Sequence, residues 1–216
     1  MICDLTRRAF LKRTTMAAGA SLALPGALRA ELPGKMQWTA ADVGSSGYIE
    51  ATAIANALIE QHGSRIRVVP SGTSVGRMMQ LKQGRVSLGY LANEAYFASE
   101  ALYDFETREW GPQDLRALMG REALFGIVTT GATGLDSIAD LKGKRVARIQ
   151  AHPSTNFKIA GVLSFAGLTW DDVEAVEVPG YSAGLQAVLD GSVDAAGAVV
   201  GASVRREIEA SSEGIG

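Results

Sequence analysis

Residues 72–76 read Gly-Thr-Ser-Val-Gly and match the G-x-S-x-G turn that presents the nucleophilic serine of α/β-hydrolases. The pattern follows a predicted strand and begins a predicted helix, which is the context that this turn requires. A catalytic triad would then combine Ser74 with Asp136 or Asp140 and with His152. An exported hydrolase that uses Ser74 is therefore one hypothesis for this chain.

Other features of the sequence oppose this hypothesis. Pro70 and Ser71 separate the strand from the turn, and no glycine-rich oxyanion segment precedes it. The chain has only two histidines, and His62 lies before the serine at a helix end. Small residues in such a turn also serve a simpler purpose, because they allow a close approach of two backbones.

The sequence offers little for other catalytic chemistry. No cluster of His, Cys, Asp or Glu has the spacing of metal ligands, and no phosphate-binding or dinucleotide-binding glycine motif occurs. The one cysteine, Cys3, lies at the extreme N-terminus. We therefore expect no metal, no cofactor and no enzymatic activity.

Five small polar loops are the stronger feature. Each lies between the end of a predicted strand and the start of a predicted helix, where unpaired N–H groups and the helix dipole suit a carboxylate. In an open α/β sheet these positions face one crevice. The loops are Gly44–Tyr48, Ser71–Ser74, Ala92–Glu94, His152–Asn156 and Gly180–Ser182.

The elements that would position these loops alternate along the chain. Hydrophobic periodicity predicts strands at 36–40, 65–69, 86–91, 115–119, 123–130, 144–149, 173–178 and 193–200. It predicts helices at 48–61, 71–83, 93–102, 155–166 and 182–189, with another that begins at 204. This alternation favours an α/β fold with mainly parallel strands. Residues 81–91 and 188–198 share a helix end, a glycine and a short strand, which suggests two similar lobes.

The first thirty residues resemble an export signal. Four basic residues precede an apolar stretch from Thr14 to Leu24, and small residues follow as far as Ala30. The segment from Thr6 to Lys12 resembles the twin-arginine signature, although an ordinary basic N-terminus is the alternative. Cleavage is expected after Ala30 or nearer Ala27.

Charge argues against nucleic-acid binding by the exported part. The chain has 21 basic and 23 acidic residues, and residues 1–30 hold five of the basic and one of the acidic ones. The remainder therefore has 16 basic and 22 acidic residues, a net charge of −6. A protein of this charge is repelled by phosphate backbones.

Several segments resemble the TAXI family of solute receptors, which serve tripartite ATP-independent periplasmic (TRAP) transporters. The segments at 43–58, "VGSSGYIEATAIANAL", and 68–98, "VVPSGTSVGRMMQLKQGRVSLGYLANEAYFA", are similar to that family's first two loops and helices. "SIADLKGKRVARI" at 137–149 resembles a motif shared by type II binding proteins, and 163–199 resembles the closing stretch. Two departures are Ser87, where the family has an acid, and the segment "IQAHPST" at 149–155, which replaces a glycine-rich loop.

The resemblance implies a two-lobed periplasmic-binding-protein type II fold and a periplasmic receptor. Such a receptor captures a small carboxylate, either a dicarboxylate or an amino acid such as glutamate, and passes it to TRAP membrane subunits. A binding protein used for sensing is the alternative. We expect the hydroxyls to bind the carboxylate, a tyrosine to wall the pocket and an arginine to add charge. The expected ligand-binding residues are Ser46, Tyr48, Thr73, Ser74, Asn93, Arg148, Thr155 and Tyr181.

The resemblance also implies a domain organisation. We expect a twin-arginine signal peptide at 1–30, lobe 1 at 31–117 and lobe 2 at 118–205. Residues 206–216 would begin the return to lobe 1. Because type II lobes include such a late return, a chain of this length is expected to be truncated at its C-terminus.

Overall fold

The computed structural model describes residues 32–199, 203–211 and 214. The expected signal peptide at 1–30 lies outside the described residues, as does part of the expected return segment. No helix among the described residues is long and apolar enough to cross a bilayer.

The first half of the described chain alternates strand and helix around a small parallel sheet. Its strands pair in the order β2-β1-β3, and both pairings are parallel. Crossover connections carry one helix between successive strands, as parallel pairing requires. In chain order the elements are β1 (Lys35–Ala40), α1 (Ser46–His62), β2 (Arg65–Pro70), α2 (Ser74–Lys82), β3 (Leu88–Gly89) and α3 (Glu94–Ser99).

Local chemistry sets the ends of α1. The hydroxyl of Ser45 accepts a hydrogen bond from the Tyr48 N–H at 3.1 Å, which satisfies one of the free donors at the helix start. Gly63 ends the helix in the left-handed region, with φ of 67°. Ala51 and Ala55 form the buried stripe between these ends, and their small side chains allow close packing.

The second half contains two strand pairs. Strands β5 and β6 are parallel, β4 and β7 are antiparallel, and a single parallel bridge from Val146 to Ala195 joins the pairs. The strands therefore lie in the order β6-β5-β7-β4. The elements are β4 (Phe125–Val128), β5 (Arg145–Ile149), α4 (Pro153–Phe165), β6 (Glu174–Val178), α5 (Tyr181–Leu189), β7 (Ala196–Val199) and α6 (Ser203–Ala210).

Three apolar clusters hold these layers together. In the second half, one cluster centres on Leu185 and Ile149, and another on Ile159 and Val146. Since Val146 and Ile149 belong to one strand but to different clusters, the sheet has apolar packing on both faces. The third cluster lies in the first half and includes Phe105, which is 1% exposed.

The segment that connects the two halves differs from the sequence expectation. Residues 115–119 were expected to form a strand, but the structure shows no regular element there. Leu118 and Met119 are 75% and 76% exposed, so the apolar pattern finds no neighbouring strand to pair with. The predicted strand at 86–91 is also reduced to Leu88–Gly89, where it pairs with the end of β1. The expected lobe boundary between residues 117 and 118 falls within the irregular segment.

Candidate functional site

The five polar loops meet at one edge of the molecule. Each follows the carboxyl end of a strand, as parallel topology requires. Two backbone hydrogen bonds join loops of the first half to loops of the second: Tyr181 N–H donates to Gly72 O at 3.3 Å, and Val75 N–H donates to Ala151 O at 3.2 Å. A Cβ placed on Gly72 would lie 3.4 Å from the Cα of Gly180. The glycine of the Gly-Thr-Ser-Val-Gly turn thus serves close approach to the facing loop.

Asp42 places a carboxylate at the start of α5. Its Oδ2 accepts a hydrogen bond from the Ser182 N–H at 2.8 Å, and the Ser182 hydroxyl donates to Val43 O at 3.0 Å. The helix start that was expected to attract an anion therefore holds one, supplied by the protein itself. This contact spans the two halves of the chain.

Ser74 and His152 form a second contact between the halves. The Ser74 Oγ lies 2.9 Å from Nδ1 of His152, and the Thr155 N–H donates to the same nitrogen at 3.3 Å. A neutral ring with its proton on Nε2 lets Nδ1 accept from both groups. His152 thereby caps the start of α4, where Pro153 provides the first helical residue.

A buried ion pair lies beside this contact. Arg77 donates to Oε1 of Glu94 from Nε at 3.0 Å and from Nη2 at 2.7 Å. Its Nη1 donates to Ser71 O at 3.0 Å, which ties the pair to the loop before α2. Arg77 is 3% exposed and Glu94 is fully buried. Burial opposes ionisation of Glu94, but the charge and hydrogen bonds of Arg77 outweigh it and lower the pKa of Glu94.

The electrostatics of His152 follow from these neighbours. Burial, together with the positive charge of Arg77, lowers the pKa of His152 to about 3. The Arg77 Nη2 lies 3.4 Å from His152 Nε2, so a second positive charge on the ring would face the first. The imidazole is therefore neutral near pH 7.

This geometry differs from that of a catalytic triad. In a triad the second ring nitrogen faces a carboxylate, whereas here it faces the Arg77 guanidinium. Asp140 accepts hydrogen bonds from the Ser137 N–H and hydroxyl, both at 2.8 Å, and caps its own short turn. Asp136 is exposed. Ser74 has no exposed surface and so offers no access to an ester.

The structure brings most of the expected site residues to this edge. Thr73 caps α2 through a 3.0 Å hydrogen bond from the Gly76 N–H. Asn93 Oδ1 accepts a hydrogen bond from the Ser154 hydroxyl. The Tyr181 hydroxyl accepts a hydrogen bond from the Val199 N–H at 2.8 Å, and burial raises the pKa of Tyr181 to about 12. The other expected residues there are Ser46, Tyr48, Ser74 and Thr155.

Tyr181 therefore acts as a buried support for the second half of the chain, since its ring belongs to the apolar cluster around Leu185. Ser46 is buried at the first position of α1, and Tyr48 is partly buried one turn into the same helix. These two residues lie next to the loop that carries Asp42.

Arg148 lies apart from this group. Its Nε is 3.6 Å from Glu177 Oε1 on the neighbouring strand, and its guanidinium carbon lies 5.8 Å from the centre of the Trp170 ring. The side chain is half exposed. Period-two alternation places Arg148 on the strand face of Val146, away from the loops that meet.

Sequence reasoning missed Asp42, Arg77 and Glu94. Asp42 lies two residues before the Gly44–Tyr48 loop, and a carboxylate so close to such a loop was the available signal. Arg77 and Glu94 are separated by 17 residues, so only the fold shows that they pair. Among the described residues, no group of three or more His, Cys, Asp or Glu side chains is arranged to hold a metal ion.

Known proteins share this architecture. An ancestral arginine-binding protein bound to glutamine matches at 17% identity with a TM-score of 0.58, covering 86% of this chain and 78% of that one. The amino acid ABC transporter substrate-binding protein AbpA from Streptococcus pneumoniae, bound to L-arginine, matches at 11% identity and a TM-score of 0.57, with coverage of 85% and 74%. The periplasmic aliphatic sulphonate binding protein SsuA from Escherichia coli matches at 16% identity and a TM-score of 0.50, with coverage of 86% and 56%.

At these identities the likeness establishes the fold, which is the two-lobed α/β fold of periplasmic solute-binding proteins. The sequence pattern of the NMT1-like family matches residues 39–213, which is most of the described chain. The chain belongs to the NMT1-like family.

Proposed function

We propose that this protein is a periplasmic solute-binding receptor that holds a small carboxylate-bearing solute at the edge where the five loops meet. The observation that carries the proposal is the Asp42 carboxylate on the Ser182 N–H, at 2.8 Å. It supports the proposal because a carboxylate already accepts a hydrogen bond at the start of α5, where the helix dipole favours an anion. A solute carboxylate takes this position by replacing the Asp42 carboxylate on the Ser182 N–H, and Asp42 stays beside the solute at the loop edge when the two halves close around it.

The contacts between the halves suit a hinged opening. They include a few hydrogen bonds between loops, such as Ser74 to His152 and Val75 to Ala151, and the contact of the Phe157 ring with the Phe97 ring. Each is worth only about 0.5–1.5 kcal/mol net, so a solute that offers comparable bonds can replace them. Closure of two lobes around a ligand by a hinge is a common transition in binding proteins.

The structural neighbours are consistent with an anionic group on the solute. Their names mention arginine, glutamine and an aliphatic sulphonate, and each of these carries a carboxylate or a sulphonate. On the basis of the resemblance to the TAXI family, we further propose that the receptor serves transport and passes the solute to TRAP membrane subunits. A sensing role uses the same binding site and differs only in the partner protein.

Calorimetry tests the proposal directly. Residues 31–216 are titrated with a panel of amino acids, dicarboxylates, 2-oxo acids and neutral sugars. We expect binding of at least one carboxylate at micromolar concentration, about −8 kcal/mol, and none of the sugars. Binding of sugars alone would contradict the proposal. Native mass spectrometry of the protein purified from its own periplasm identifies a co-purified solute independently.

Transport is tested separately from binding. Deletion of the gene should abolish uptake of the identified solute, and re-expression from a plasmid should restore it. If uptake is unchanged while binding persists, the receptor serves sensing instead of transport.

A further inference from the structure

Two carboxylate oxygens at the loop edge are buried without a hydrogen-bond partner. Within the part of the chain that the structure describes, Oε2 of Glu94 and Oδ1 of Asp42 accept no hydrogen bond. Buried carboxylate oxygens are normally satisfied, because an unsatisfied charged acceptor carries most of its desolvation penalty. Each of these oxygens therefore calls for a donor.

The hydrogen bonds that Arg77 makes explain why Oε2 of Glu94 has no donor in the described part of the chain. Two nitrogens of Arg77 donate to Oε1, at 3.0 and 2.7 Å, and its third nitrogen donates to Ser71 O. A further cation is Lys158, whose charge interacts with that of Glu94. Its Nζ lies 5.5 Å from the centre of the Phe125 ring and forms no ion pair with Glu94 among the described residues.

Both oxygens belong to side chains that flank the 71–74 loop. Arg77, the partner of Glu94, binds the carbonyl of Ser71 at 3.0 Å. The Asp42 Oδ2 would lie 3.6 Å from a Cβ built on Gly72 of the same loop. This loop also contacts His152 and Tyr181 of the second half. The oxygens thus lie at the edge where the proposed solute binds.

From this placement we infer that the solute carries a cationic nitrogen, an ammonium or a guanidinium, whose N–H groups bind Glu94 Oε2 and Asp42 Oδ1. The inference rests on the proposed function and narrows its solute to amino acids and similar zwitterions. An amino acid supplies a carboxylate for the helix start and N–H donors for the two oxygens. A dicarboxylate supplies only further negative charge beside Asp42, which repels it.

Matched ligands test this inference. L-Glutamate is compared with 2-oxoglutarate, and L-arginine is compared with agmatine, which lacks the carboxylate. Replacing the ammonium of L-glutamate by the keto group of 2-oxoglutarate should weaken affinity roughly tenfold to a hundredfold, since a charge-assisted hydrogen bond is lost. Agmatine keeps its cationic nitrogens, so comparison with L-arginine tests the carboxylate instead. Calorimetry at one pH and salt concentration measures all four.

The outcomes separate this inference from the proposed function. If 2-oxoglutarate binds as tightly as L-glutamate, the inference is wrong and the carboxylate receptor stands. If agmatine binds and no carboxylate does, the cationic nitrogen is supported and the carboxylate receptor is wrong. If none of the four ligands binds and the wider panel yields only solutes without a cationic nitrogen, the inference also fails.

Substitutions of the two carboxylates test whether they bind the cationic nitrogen of the solute. Asp42→Asn should weaken amino-acid binding by about tenfold or more and leave 2-oxo acid binding unchanged or tighter. Asp136→Asn is the matched control, because Asp136 is exposed and lies outside the loop edge. Glu94→Gln should have the same effect as Asp42→Asn, but it disturbs a buried ion pair and is scored only after circular dichroism shows that it folds. Amino-acid affinity that is unchanged in Asp42→Asn would overturn the assignment, whatever the fate of Glu94→Gln.

Discussion

The hydroxyl oxygen of Ser74 lies 2.9 Å from Nδ1 of His152, across the junction between the two halves of the chain. Neither side chain is accessible, since Ser74 is 0% exposed and His152 is 4% exposed. The pair has the composition of a hydrolase dyad, but the Arg77 guanidinium on the far side of the ring makes His152 a poor base. We interpret the contact as a structural hydrogen bond that joins a loop of the first half to a loop of the second half.

A purely structural role predicts that Ser74 and His152 hydrolyse no ester. Hydrolysis of p-nitrophenyl acetate by the parent should equal that of Ser74→Ala, and both should match a protein-free blank. The Ser74→Ala change should also lower the free energy of unfolding by at least about 0.5–1.5 kcal/mol, because the hydrogen bonds of Ser74 with His152 and Arg77 are lost. Ester turnover in the parent that disappears in Ser74→Ala would revive the hydrolase hypothesis.

The pKa of His152 predicts a specific dependence of stability on pH. His152 has a pKa of about 3 in the folded protein, against a usual value near 6.5 in an unfolded chain. Between these values the unfolded state binds one more proton, so stability falls as pH falls. The expected slope from this group approaches about 1.4 kcal/mol per pH unit near pH 5.

Urea unfolding at several pH values measures this slope. His152→Asn should flatten the fall between about pH 6.5 and pH 4.5, whereas His62→Asn, at an exposed position, should leave it as in the parent. The pKa values of Asp190 and Asp194 are lowered by their hydrogen bonds, and these groups add losses only at more acidic pH. Equal slopes in the parent and in His152→Asn would contradict the neutral, buried imidazole.

Much of the fold could be predicted from the sequence because its signals are local. The segments at 81–91 and 188–198 were expected to share a helix end, a glycine and a strand. In the structure Gly84 and Gly191 both have positive φ, 64° and 73°, directly after α2 and α5. A helix end followed by glycine is set by nearby residues alone, so the pattern could be recognised without the fold.

The strand expected at 115–119 shows where local signals fail. Leu115, Ala117 and Met119 alternate with the period of two that is typical of a strand, but a strand also needs a neighbour, and the sequence does not say where one lies. The candidate site also depends on contacts that local sequence signals do not report. The Thr73 cap of α2 bonds to Gly76, only three residues away, whereas Asp42 and Ser182 meet across 140 residues. Only the three-dimensional arrangement brings those two together.

The position of Arg148 predicts a small effect on binding. Sequence reasoning expected Arg148→Ala to weaken carboxylate binding by about tenfold to a hundredfold. Because the guanidinium lies beside Glu177 and Trp170, we expect less than about a threefold change in affinity and at most about 1 kcal/mol in stability. Calorimetry with the solute found in the panel decides between these values. A tenfold or greater loss of affinity in Arg148→Ala would show that Arg148 belongs to the binding site.

The expected export signal at residues 1–30 lies outside the residues that the structure describes. Arg7 and Arg8 precede a mildly apolar stretch, which is the pattern of a signal that a receptor recognises. Replacing both with lysine keeps the positive charge and removes the guanidinium groups. We expect the periplasmic fraction of the protein to fall while the cytoplasmic fraction rises, as measured by cell fractionation. Arg29→Lys, near the expected cleavage site, is the matched control and should leave export intact. Unchanged export of the double variant would show that the N-terminus uses another route.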